Sequence, residues 1–176
     1  MPNYTKKGKI ELITSDTEFF NKVSNQQTQL GNEKTSFVCA LYYFGIRVSE
    51  ALNLTKESFT IKNKKLYVDV GQRLKHSKRT PPLSVKLDRP FVHNIVSVIQ
   101  ETDKGSKVWN FSRVTAWRII NKHFDKYPHY YRLNRITTFF DKGYPISKVK
   151  SWTGLTLKAL DYYVGVSDVS KMGNDV

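Results

Sequence analysis

Apolar residues recur at helical spacing along most of this chain, and the one stretch where they alternate instead marks a sheet. In "LITSDTEFFNKVSNQ", Phe19, Phe20 and Val23 fall three to four apart behind the capping candidates Thr14 and Ser15, which predicts a helix. "EKTSFVCALYYF" reads as a second, largely buried helix, and "QQTQLGNEK" between them reads as the turn. From Phe59 the period changes to two. "FTIKNKKLYVDV" places Phe59, Ile61, Leu66, Val68 and Val70 on one side of a hairpin whose turn is "KNKK". "PPLSVKL" supplies a third strand, where Pro81 and Pro82 suit a strand start or sheet edge. Beyond Arg89 the helical period returns over 91–100, 114–124, 130–140, 146–152 and 157–164. Gly143 stands where the residue after a helix end would, and Pro145 opens the next helix. The pattern predicts a mainly helical α+β domain carrying a small three-stranded antiparallel sheet.

Composition narrows the partner. The 176 residues are 39% hydrophobic and 13% aromatic, enough to bury a core as one domain. Lys and Arg number 29 against 15 Asp and Glu, a net charge of +14, and a field of that sign attracts polyanions, nucleic acid foremost. No apolar run approaches the about 20 residues needed to span a bilayer, and the start, "MPNYTKKGKI", is not a secretory signal, so a protein acting inside the cell and off the membrane is expected. The single Cys39, within "FVCALYYF", reads as a small buried hydrophobe. His76, His93, His123 and His129 lack zinc-ligand spacing, so neither a metal nor a cofactor is expected.

Four separated features could converge into a site. In "GIRVSEALNL", Arg47 sits in an otherwise apolar run; it either pairs with Glu50 on a helix end or is held ready for an anion, and Gly45 lets something approach the backbone closely. The loop "GQRLKHSKRT" offers Arg73, Lys75, His76, Lys78 and Arg79; across 62–80 seven Lys or Arg face one acid, Asp69. "HYYR" sets His129 and Arg132 three apart, on one face of a helix, and "ALDYY" ends in Tyr162 and Tyr163. Paired guanidinium forks match phosphate oxygens, and cations beside a tyrosine favour the phenolate it needs to act as a nucleophile, since its ordinary pKa is about 10.

Together these stretches resemble the catalytic domain of the tyrosine recombinases, or phage integrases. "GIRVSEALNLTKESF" resembles that family's first arginine box, a G-x-R-x-S-E pattern; "HYYRLNRITTFFDKG" resembles its second, H-x-x-R; and "ISKVKSWTGLTLKALDYY" resembles its ending. The resemblance spans residues 10–166, with 167–176 as a polar tail, and includes no N-terminal DNA-clasping helical domain. It implies a metal-independent enzyme that breaks and rejoins double-stranded DNA through a 3′-phosphotyrosyl intermediate, working as a homo-oligomer, a tetramer on two sites, for a virus or other mobile element. By position, Arg47 and Arg132 would hold the scissile phosphate and His129 would assist. Lys75 would protonate the leaving 5′ oxygen, with Lys78 as the other candidate. Tyr163 would attack, with Tyr162 one position away. Arg73, Lys78, Arg79 and Arg135 would contact DNA.

Leu155 departs from the pattern, because it stands where the family has a His or Trp, and one residue is missing between Gly154 and the tyrosine. These departures keep open a non-enzymatic DNA-binding protein built on the same fold. An RNA-binding basic module and a type IB topoisomerase are further rivals.

Overall fold

A computed structural model describes residues 14–71 and 80–161. Among these residues the chain folds as α1 (Asp16–Phe44), α2 (Val48–Ala51), a 3₁₀ turn (Lys56–Ser58), β1 (Phe59–Lys62), β2 (Lys65–Val68) and β3 (Leu83–Lys86). Four helices follow: α3 (Val92–Glu101), α4 (Arg113–Phe124), α5 (Tyr130–Asp141) and α6 (Ile146–Thr153). A last helical stretch begins at 157. The mainly helical α+β reading therefore holds, and of the helix expected over 157–164, residues 162–164 lie outside the described residues.

α1 is two helices rather than one. Ser15 caps its start, accepting from the Glu18 amide, and the helical path breaks at Gly31, whose φ of 76° and ψ of 171° reverse the chain. A straight helix would hold Asp16 and Tyr42 about 39 Å apart, at 1.5 Å per residue. Instead the Tyr42 hydroxyl donates to the Asp16 carboxylate. The two arms, 16–30 and 32–44, thus fold back on each other, with the Phe19 and Tyr42 rings stacked at 3.8 Å between them. The turn expected over "QQTQLGNEK" contracts to Gly31 alone; Gln26 to Leu30 and Asn32 to Lys34 stay helical because one left-handed glycine suffices to reverse direction.

The sheet is the antiparallel meander β1-β2-β3, with Phe59 opposite Val68 and Leu66 opposite Val85. Asn63 and Lys64, at φ of 51° and 59°, make the tight two-residue turn whose twist suits a hairpin. Phe59, Leu66 and Val68 enter the core, whereas Ile61, close to the hairpin turn, is half exposed. β3 starts at Leu83, after both prolines.

Two clusters form the interior. The larger gathers α1, the sheet, α3, α4 and the start of α5; the smaller joins Ile136 of α5 to Val149 of α6 and Leu160. Trp109, in a connection that sequence periodicity did not single out, is completely buried and donates its indole N–H to Ser36 at 2.9 Å. α5 is common to both clusters: Tyr130 and Tyr131 pack into the first, Ile136 into the second. Its end is fixed by a Schellman turn, in which Gly143 N–H reaches Phe140 O at 2.9 Å and Tyr144 N–H reaches Phe139 O at 3.1 Å.

Candidate active site

Two of the four sequence features meet at the turn that ends α1. Gly45 closes that helix in the left-handed region (φ 59°), its N–H returning to Leu41 O at 2.9 Å. Arg47 then stands at the start of α2, its guanidinium 2.8 Å from one Glu50 oxygen while its own amide donates to the other at 2.8 Å. The pairing with Glu50 expected as one alternative is therefore present, and Arg47 keeps 28% of its side-chain surface open to solvent.

The arginine truly carried into the core is Arg132, which is 1% exposed. Its position between the two clusters gives it a mechanical role: Nη1 donates to Gly45 O at 2.8 Å and Nη2 to Thr153 O at 2.9 Å. One side chain thus ties the "GIRVSE" turn to the "WTGL" turn, which are 108 residues apart by subtraction of 45 from 153. Charge-assisted bonds of this kind contribute about 1.5–3 kcal/mol each, and they satisfy carbonyls that would otherwise be buried and unpaired. Neither carbonyl partner was legible from the sequence, because a backbone acceptor leaves no residue signature.

His129 precedes α5 and is half-buried. Burial, then the charges of Arg132 and Arg47, hold its imidazole below the ordinary value, and Glu50 opposes them. The imidazole therefore lies within electrostatic reach of both arginines. Arg47 and Arg132 thus act as two cations on a His129 imidazole held toward its neutral form, with Glu50 opposing them.

Arg135, expected among the DNA contacts, packs on the turn that ends α1. It is half-buried, its stem lies against Gly45 and its guanidinium covers the Phe139 ring at 4.8 Å. Burial lowers its pKa, Tyr42 and Asp16 oppose that shift, and Arg89 adds to it. Leu155 joins the smaller apolar cluster, and its amide bonds the Thr153 hydroxyl at 3.3 Å. Cys39 is buried, which pushes its thiol well up and leaves it inert.

The remaining candidates, Arg73, Lys75, Lys78, Arg79, Tyr162 and Tyr163, lie outside the described residues, as does the tail 167–176. The two edges of the basic loop are described: the Thr80 hydroxyl donates to Gly71 O at 3.2 Å, pinning its ends together beside β2 and β3. Among the described residues no group of His, Cys, Asp and Glu could hold a metal ion, and no helix is long and apolar enough to cross a membrane.

This architecture, helices around a three-stranded antiparallel meander, is the fold of tyrosine recombinase catalytic domains. The XerH site-specific recombinase bound to palindromic difH substrate, in a post-cleavage complex, matches with a TM-score of 0.65 at 15% identity, over 98% of this chain and 55% of that one. XerA recombinase matches with a TM-score of 0.66 at 16% identity, over 94% and 64%. The Tn1549 transposon integrase in complex with circular intermediate DNA matches with a TM-score of 0.62 at 13% identity, over 96% and 67%. The chain thus spans roughly half to two thirds of the proteins it matches, and the likeness is one of fold. No protein-family model matches the sequence, and no curated protein does.

Proposed function

We propose that this protein binds double-stranded DNA and cleaves and rejoins its strands through a phosphotyrosyl intermediate, as a site-specific recombinase or integrase of a virus or other mobile element. The observation that supports this reading is the bond from Arg132 to Gly45 O, which ties the second arginine box to the turn that leads into the first, two residues before Arg47. Arg47 and His129 face the scissile phosphate, and Arg132 stabilises the charge that develops on it; removal of one such donor typically costs about 3 kcal/mol, on the order of 100-fold in rate. The Tyr163 oxygen forms its bond to phosphorus as the bond to the 5′ oxygen breaks. The phenol gives up its proton, and Lys75 delivers one to the leaving oxygen, so the 3′ phosphate stays on the enzyme and the 5′ end leaves as a hydroxyl. Religation reverses these steps and consumes no nucleotide.

Arg73, Lys78 and Arg79 track the DNA backbone from the loop between β2 and β3. The working unit is a homo-oligomer, a tetramer on two sites, to which the tail 167–176 contributes. Deleting that tail is expected to abolish DNA-dependent assembly while leaving binding by single protomers.

A second reading has its own observation: Leu155 is packed into the apolar cluster where a polar donor would serve the phosphate. A DNA-binding protein on this fold would bind duplex in a salt-sensitive manner and form no covalent product. A denaturing gel of the full chain with nicked duplexes and supercoiled plasmid separates the two. An adduct lost on Tyr163→Phe supports the recombinase and names the nucleophile. Loss only on Tyr162→Phe moves the nucleophile by one, and salt-sensitive binding with no adduct from any version refutes the cleavage reading.

A further inference from the structure

Arg135 is a charged side chain in a place that its charge does not explain. Its Nε is buried with no hydrogen-bond partner. Asp16, the carboxylate that acts on its charge, is already occupied by the Tyr42 hydroxyl and by Arg89 at 2.6 Å. What Arg135 does engage is backbone: a Cβ on Gly45 would stand 2.7 Å from the Arg135 Cβ and 2.8 Å from its Cγ, so the stem lies directly on the glycine α-carbon. The ring of Phe139 below the guanidinium keeps that stem from swinging away.

Arg132 and Arg135 are one turn apart on α5, and both act on Gly45, the first through its carbonyl and the second through its α-carbon. Two contacts on one residue fix its orientation as well as its distance. Arg47 follows Gly45 by two residues. We propose that Arg135 is a positioning residue, not a DNA contact: its stem, pressed on Gly45, sets the turn bearing Arg47 against the helix bearing His129 and Arg132. As a statement about catalysis this rests on the function proposed above; as a statement about geometry it does not.

The test compares Arg135→Ala with Arg135→Met. Both remove the charge, so any direct electrostatic effect is common to them, and both keep the Cβ, but only Met keeps the Cγ beside Gly45 and the stem beyond it. The first readout is the His129 titration by NMR in the DNA-free protein, assigned with His129→Gln. Among the described residues, Arg132, Arg47 and Glu50 are the charged groups that set it. In Arg135→Ala the Arg47 turn loses the part of its backing from Cγ outward, and the His129 pKa is expected to rise by roughly 0.3 pH unit or more above that of Arg135→Met. The second readout is covalent-adduct formation beside duplex affinity. Arg135→Ala is expected to slow adduct formation about 10-fold or more, with affinity and salt slope unchanged, and Arg135→Met to restore the rate.

Identical His129 titrations in Ala and Met overturn the proposal. So does weaker duplex binding in both, with the salt slope reduced by about one, because that is the signature of a phosphate contact. If no version forms an adduct, the cleavage reading fails while the titration still decides the geometry. Should Arg135→Ala not fold, Arg135→Met decides through affinity: retained binding and rate support positioning, and weakened binding overturns it.

Discussion

Gly45 and Gly143 permit a controlled measurement of what the close approach of α5 contributes. Both are left-handed residues at helix ends, with φ of 59° and 78°. A Cβ at Gly143 meets nothing within 4 Å, whereas at Gly45 it meets the Arg135 stem at 2.7 and 2.8 Å, closer than a real Cβ contact allows. Gly143→Ala should therefore cost only the left-handed strain, about 1–2 kcal/mol. Gly45→Ala carries that strain plus the displacement of α5, about 1–3 kcal/mol more by analogy with overpacked cores. For a chain of this size, about 2–4 °C per kcal/mol places the melting-temperature losses at roughly 2–8 °C for Gly143→Ala and roughly 4–20 °C for Gly45→Ala. Paired urea denaturation curves give the difference directly. The displaced helix also carries His129 and Arg132, so Gly45→Ala should lose adduct formation while Gly143→Ala keeps it. Equal stability losses in the two variants would refute the argument that Arg135 is packed on Gly45.

Arg132→Lys should lose about 1.5–3 kcal/mol in urea melts, because one ammonium cannot reach both Gly45 O and Thr153 O, and stability unchanged within error would mean these bonds contribute nothing net. Trp109→Phe should cost about 1–3 kcal/mol, having removed buried volume and left the Ser36 hydroxyl without its indole donor; thermal denaturation checks it. His123, lowered by burial and then by Lys122 and Lys34, and His129, lowered by burial and then by Arg132 and Arg47, both favour the neutral imidazole when folded. The unfolded chain therefore takes up more protons below about pH 6.5, and stability is full above that value and falls as pH drops through the depressed folded values. Urea midpoints at pH 7.5 and 5.5 measure the fall, and His129→Gln should flatten it. Asp16 acts in a separate, more acid window. Burial raises its pKa, but the bonds from Tyr42 and Arg89 outweigh this and hold it below the usual carboxylate value. Its contribution is present above the unfolded value and lost as pH falls through the folded one, a loss that Asp16→Asn should remove from acid-titration curves.

Much of the fold was legible along the chain because periodicity reports which face an element buries. The alternation at Phe59 to Val70 and the helical spacing at 91–100, 114–124, 130–140 and 146–152 each return as elements within a residue or two of where the pattern placed them. The Gly143 and Pro145 signals mark a real helix end and a real helix start, since both act through local backbone geometry. Trp109 escaped notice because its burial comes from a connection with no period of its own. The turn before Glu33 was drawn too long because polarity, unlike φ, does not distinguish a solvent-facing helical turn from a loop.

The candidate site divides in the same way. Sequence by itself determined that Arg47, His129 and Arg132 are chemically notable, that Arg47 has a partner within reach at Glu50, and that the chain is basic enough to seek a polyanion, because residue identity and short-range spacing carry that information. Only the tertiary structure decided which arginine is buried, that Arg132 bonds the carbonyls of Gly45 and Thr153, and that the Arg135 stem lies on Gly45. Those facts depend on contacts between backbone and side chain across 87 residues for Arg132 and Gly45 and 21 for Arg132 and Thr153, which no local pattern encodes. They exist because α5 is shared by two apolar clusters, and the residues at their seam must find their partners in whatever backbone the packing brings there.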